Sequence, residues 1–189
     1  MRARLLIASL AGLAAAGLLA GCGDGEQASP TTTASTTRSV SHAAPDLEAL
    51  LPTEVNGTAL RKGSTTGAVV FGGNVFGRVM RRFLAAHGKQ PNDLRFANAQ
   101  TSSRTFELET GVFQVRDVRG SALRQAIVES SHPNARGLET STARLSGKRV
   151  TKFVYPGGST LYLYAHDDLV FYVGTQNETL AGTILAMFP

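Results

Sequence analysis

Cysteine is nearly missing from this chain: Cys22 stands alone among 189 residues. No internal disulfide and no cluster of cysteines around a metal can form, so the fold is held by packing. A long apolar run is also missing. The best candidate, Leu5–Ala20, has 16 residues and contains Gly12 and Gly17. A membrane-spanning helix needs roughly 20 predominantly apolar residues. None of the four histidines pairs with another at HExxH or similar ligand spacing, so no metal site is expected. The GxSxG elbow and the SxxK pair are absent, which removes the hydrolase signatures that short motifs can reveal. No useful internal repeat appears. With no site of this kind in view, the chain is expected to be non-enzymatic and to need no cofactor.

What is present begins with an address. Arg2 and Arg4 precede the apolar run, Leu19-Ala20-Gly21 stands directly before Cys22, and the composition then turns polar. The length and flanks of the run suit the h-region of a secretory signal. The stretch resembles the lipobox of bacterial lipoproteins, in which a small-residue tripeptide precedes the cysteine that becomes the mature N-terminus. That resemblance implies removal of residues 1–21 and a thioether-linked diacylglycerol on Cys22, commonly with an acylated amine such as a palmitate. It places the protein at the cell membrane, lipid-anchored on the extracytoplasmic side. The competing expectation is an ordinary cleaved signal and a freely soluble secreted protein. Two or three acyl chains anchor far more stably than one, since each buried methylene contributes about 0.8 kcal/mol.

Removing 21 of the 189 residues leaves 168, enough for one domain with its own core. The 19 Lys and Arg lose Arg2 and Arg4 with the leader, so 17 cations face 14 anions, a modest +3. No nucleic-acid partner is expected of an exported, tethered chain. Residues 23–45 hold nine Ser or Thr among 23 positions, with Val40 the only sizeable aliphatic side chain. Such a segment buries too little to offset its ordering entropy. Residues 22–45 therefore read as the lipidated cysteine and a disordered tether, whose ends lie roughly 25–30 Å apart as a flexible chain.

Residues 46–189 read as a single α+β domain: a mainly antiparallel sheet with about three helices packed on it. Asp46–Leu51 suggests a short helix or turn before Pro52, and Gly57–Thr65 a first strand. Phe76, Val79, Met80, Phe83 and Leu84 recur at helical spacing, which predicts a helix over about 75–87 with Asn74 as N-cap and Gly88 past its end. A short strand is expected near Leu94–Ala97. Thr110-Gly111 predicts a two-residue hairpin loop that sets Leu108 opposite Phe113 and Phe106 opposite Val115. A helix is expected at Ser121–Ser131, then strands at Ala143–Leu145, Arg149–Tyr155, Thr160–His166 and Leu169–Gly174. Taken literally, those loops put Phe153, Tyr155, Tyr162, Tyr164 and Phe171 on one face and Val154, Leu161, Leu163, Val170 and Tyr172 on the other. Both faces are apolar, so both are expected to be covered. Thr175 and Glu178 have capping-box spacing before a final helix.

Several groups could carry chemistry. His166 beside Asp167-Asp168 offers an imidazole and two carboxylates for acid–base work, or else a polar hairpin tip. Ser130-Ser131-His132 sets hydroxyls next to an imidazole, although adjacent helix residues do not face each other. Gly72-Gly73-Asn74 could present backbone N–H groups to an anion, or simply turn the chain into a capped helix. Arg78, Arg81 and Arg82 form a basic face opposite the apolar stripe, suited to anionic headgroups or an acidic envelope polymer, or to plain solvation. The aromatic set could line an apolar pocket or fill a core.

The folded part also resembles small, uncharacterised actinobacterial-type envelope lipoproteins through Leu50-Leu51-Pro52, Gly57-Thr58-Ala59-Leu60 and a short terminal helix. That family implies no catalytic residues. The leading expectation is a membrane-anchored binding or scaffolding module whose partner is a protein or anionic envelope polymer. A carrier of a lipid or other apolar ligand, and an envelope hydrolase using His166 with Asp167 or Asp168, are the alternatives.

Overall fold

A computed structural model describes residues 41–101, 108–131, 137–156 and 158–189. Within them the alternating apolar positions of the strands generate one eight-stranded antiparallel sheet, ordered β1-β2-β3-β4-β8-β7-β6-β5. The strands are β1 Glu54–Val55, β2 Thr58–Thr66, β3 Leu94–Thr101, β4 Glu109–Val115, β5 Glu139–Leu145, β6 Lys148–Val154, β7 Thr160–His166 and β8 Leu169–Gly174. The helices are α1 Pro45–Ala49, α2 Gly67–Val70, α3 Val75–Ala86, α4 Gly120–Ser131 and α5 Glu178–Ala186. This is the expected α+β class.

Each face of the sheet carries its own core. On one, Leu60, Ala97, Val112, Val150, Tyr162, Phe171 and Val173 pack with Leu47 of α1 and Leu180, Ile184 and Leu185 of α5. On the other, Leu94, Phe113, Val115, Phe153, Leu163 and Val170 pack with Met80 and Leu84 of α3 and Leu123 and Ile127 of α4. Covering both faces explains why β7 and β8 read as nearly continuous apolar runs rather than clean alternations.

Three expectations need correction. Thr110 and Gly111 form no hairpin loop. Both lie inside β4, with Gly111 opposite Asn98 on one side and Tyr172 on the other. The glycine is needed because the Tyr172 ring occupies the space of a side chain: a Cβ at 111 would lie 2.4 Å from it. Val115 pairs with Leu94 and Phe113 with Phe96. The other proposed arm, including Phe106, falls largely on residues 102–107, outside the described residues.

The second correction is a slip of one residue between β6 and β7. Tyr155 bonds back to Ser159, its N–H donating to that carbonyl at 2.8 Å, and Phe153 stands opposite Leu161. Phe153 and Tyr155 thereby join the α3/α4 face, while Tyr162, Tyr164 and Phe171 stay on the α1/α5 face. A single extra loop residue is enough, because strand side chains alternate with period two. Third, α5 is capped by Asn177, whose Oδ1 accepts from the Leu180 N–H at 3.0 Å. Thr175 Oγ1 instead accepts from the Asn177 N–H at 3.2 Å.

The folded unit begins at Ser41, ahead of the boundary at Asp46 that composition suggests. Residues 41–43 lie along β2: the Ser64 N–H donates to the Ser41 carbonyl at 2.8 Å, and the Ala43 N–H to the Ser64 carbonyl at 3.3 Å.

Candidate functional site

The amphipathic helix α3 forms as its sequence predicts. Asn74 Oδ1 accepts from the Gly77 N–H at 2.8 Å, and Gly88 takes a left-handed φ of 68° just past the end. Its three arginines are exposed but not equivalent. Arg78 donates to the Gly73 carbonyl at 2.9 Å. Arg81 donates to the carbonyls of Phe71 at 3.0 Å and Gly72 at 3.2 Å and lies over the Phe71 ring. These two cations hold the loop before the helix in place. The Gly72-Gly73-Asn74 turn is thus engaged through its carbonyls and its cap. Arg82 has no hydrogen-bond or ion-pair partner among the described residues.

Arg82 borders a groove of about 370 Å³ between α3 and α4, lined by Val79, Phe83 and Ala86 on one side and Ala122, Ala126 and Glu129 on the other. Alanines keep the floor shallow and apolar. Of the charged side chains Arg82 and Glu129 line it, and Gln125 completes the polar rim, its Nε2 donating to Glu129 at 3.4 Å. A second cleft, of about 230 Å³, is lined by Lys89, Asn92, Asp93, Arg95 and Arg116. There most charges are already paired: Lys89 Nζ with Asp117 at 3.2 Å, Arg95 with Asp46 and with Gln114 at 2.7 Å. Asp93 accepts the Gln90 backbone N–H.

The other sequence candidates do not converge on a reaction centre. His166 Nε2 lies 3.5 Å from Asp167, whose side chain is 82% exposed, and its Nδ1 lies 3.4 Å from the Tyr164 hydroxyl. Asp168 turns the other way and accepts from Gln114 Nε2 at 2.9 Å. The turn itself is fastened by the Gly120 N–H, which donates to the Asp167 carbonyl at 2.6 Å. Asp167 takes a left-handed φ of 50°, a conformation Asp tolerates. Ser130 and Ser131 both donate their hydroxyls to the Ile127 carbonyl, at 2.6 and 3.0 Å. His132 lies outside the described residues, as does Cys22. Rings of the aromatic set are packed: Phe171 stacks on Phe188 at 4.4 Å, and Phe153 is fully buried.

Sequence reading passed over a polar network around Glu48. Its carboxylate is buried, receives the Ser64 hydroxyl at 2.5 Å and meets His42 Nδ1 at 2.8 Å. A carboxylate only accepts, so the ring nitrogen facing it carries a proton. The Ser64 Oγ accepts from the Ala44 N–H at 2.7 Å. Lys62 Nζ caps the end of α1, donating to the carbonyls of Glu48 at 2.9 Å and Leu51 at 2.5 Å. Burial pushes the Glu48 carboxyl up, but the Ser64 hydroxyl, the His42 ring and the Lys62 charge together hold it below the usual glutamate range. Burial draws Lys62 down, opposed by Glu48. Ser64 donates to Glu48 and makes no bond to His42, so the three do not form a nucleophile relay. The signal available in the sequence was weak: a histidine inside a Ser/Thr-rich stretch, six positions before a glutamate.

Among the described residues no group of three His, Cys, Asp or Glu side chains is placed to hold a metal, and no helix is long and apolar enough to cross a membrane. Comparison with protein-family models, with curated proteins and with solved structures gives no match to this chain.

Proposed function

We propose that this protein is a lipid-anchored, non-enzymatic binding module of the cell envelope, attached through Cys22 and meeting its partner with the outer surface of α3 and α4. The observation that carries the binding part is the groove itself: an apolar floor of Val79, Phe83, Ala86, Ala122 and Ala126 with Arg82, which has no partner among the described residues, at its rim. A partner that presents apolar side chains beside a carboxylate suits both features, since the floor offers area to bury and Arg82 offers charge complementarity. An acidic protein segment fits better than a purely polyanionic polymer, which leaves the apolar floor uncovered. The anchored part rests on the Leu19-Ala20-Gly21-Cys22 stretch.

The experiment places a photoreactive residue at Ala122, in the groove, and at Thr142, on the exposed edge strand β5, and irradiates intact cells. The reading expects a discrete adduct with an acidic protein from position 122, absent from 142, and weakened by Arg82→Gln. Arg82 is the informative substitution because Arg78 and Arg81 also brace the loop. An adduct pattern that is the same at both positions, or indifferent to Arg82→Gln, contradicts it.

A further inference from the structure

We propose that the junction from Ser41 to Glu48 is an acid-released clasp, which fastens the incoming chain to β2 through the Glu48 carboxylate and lets it go when that carboxylate is neutralised. Two backbone bonds hold residues 41–43 to β2, and the one from Ala43 is long at 3.3 Å. The remaining hold passes through side chains. Ser64 bridges the Ala44 N–H and the Glu48 carboxylate, and His42 reaches back to the same carboxylate. One buried acid thus gathers two stretches that are distant in sequence.

The groups facing Glu48 determine how the clasp answers pH. They are His42 from the incoming segment and Lys62 and Ser64 from β2; on α1 itself Asp46 is turned to Arg95 of β3. The Glu48 carboxylate offsets the Lys62 charge. Protonating Glu48 removes the negative charge that the His42 and Ser64 hydrogen bonds are made to and leaves the Lys62 cation beside a neutral carboxyl, so the side-chain hold on the segment weakens. The clasp is therefore closed while Glu48 is ionised and opens as acid neutralises it. Opening uncovers Ala44, which is 1% exposed, and frees the backbone of Ser64 at the edge of β2. The clasp stands whether or not Cys22 is lipidated; only its role as the root of a membrane tether rests on the anchored reading.

Amide hydrogen exchange of the full chain, read as protection factors from about pH 7 down to about pH 3, tests this directly. The amides of Ala43, Ala44 and Ser64 are expected to lose protection about tenfold or more as pH falls below the ordinary carboxyl range, the scale of one charged hydrogen bond. Those of Leu163 and Val170 in the central strands stay protected throughout. Glu48→Gln should hold the three junction amides in the fast-exchanging state at every pH. His42→Gln, which removes one side-chain partner of the carboxylate, should lower junction protection at neutral pH and keep the acid loss, and it serves if Glu48→Gln fails to fold. Flat protection of the junction while the central strands remain folded overturns the proposal, as does a Glu48→Gln or His42→Gln profile that matches wild type.

Discussion

Glu48 and Asp46, two residues apart on α1, tie the folded unit's acid sensitivity to its first helix. The Arg95 guanidinium beside Asp46 holds that carboxyl below the usual aspartate range, and Glu48 is held low by its own partners. A carboxyl lowered on folding contributes stability that is complete above its unfolded value and is lost as pH falls through the folded one. Denaturant midpoints should therefore fall as pH drops below the ordinary carboxyl range, and Asp46→Asn or Glu48→Gln should flatten that slope. Gly111 gives a sharper local test. Alanine there drives a Cβ into the Tyr172 ring and the Ala97 carbonyl, so Gly111→Ala should destabilise by about 1–3 kcal/mol, as overpacking does. Tyr172 is itself buried and donates to Glu109 at 2.8 Å, and burial together with the Glu109 charge raises its phenol well above the usual value. Neither role could be read from the sequence. Gly111 follows a threonine in a stretch that alternates like a hairpin, and only the neighbouring strand β8 shows what the glycine accommodates.

α3 and α5 show how far local signals reach. The stripe from Phe76 to Leu84 and the asparagine before it located α3 to within a residue at its end, because the cap and the buried face are both local properties. At α5 two caps competed within three positions, and Asn177 took the role that Thr175–Glu178 spacing suggested. Asn177→Ala should cost about 1 kcal/mol in chemical denaturation and Thr175→Ala clearly less; the reverse order contradicts the cap assignment. Sheet register was legible where the connection is two residues: His166 opposite Leu169 fixes β7 on β8 as expected. It failed at the longer β6–β7 connection, where one residue more in the turn exchanges the faces of Phe153 and Tyr155. The partner of β4 was not legible at all. Alternating apolar residues suit any antiparallel neighbour, and the choice of β3 and β8 is made by the whole sheet.

Taken together, the molecule is a sheet with two buried faces, and its α+β class could be read from the apolar character of both sets of strand residues. The candidate site was legible only in part. The basic face of α3 was visible, but not that two of its arginines brace a loop while Arg82, without a partner among the described residues, borders an apolar groove. The polar composition up to residue 45 was visible, but not that Ser41–Ala44 belong to β2's edge, since their contacts are made by backbone and by residues far along the chain. Cys22→Ser should move the protein from the membrane fraction to the soluble one after cell lysis, with the stability of residues 41–189 unchanged. The central claim, a binding module held at the envelope by its one cysteine, is tested most directly by the mass of the N-terminal peptide of the protein extracted from membranes. The expected peptide begins at Cys22 and carries a diacylglycerol, with or without a further acyl chain. A chain that retains residues 1–21, or a mature N-terminus without lipid, would contradict it.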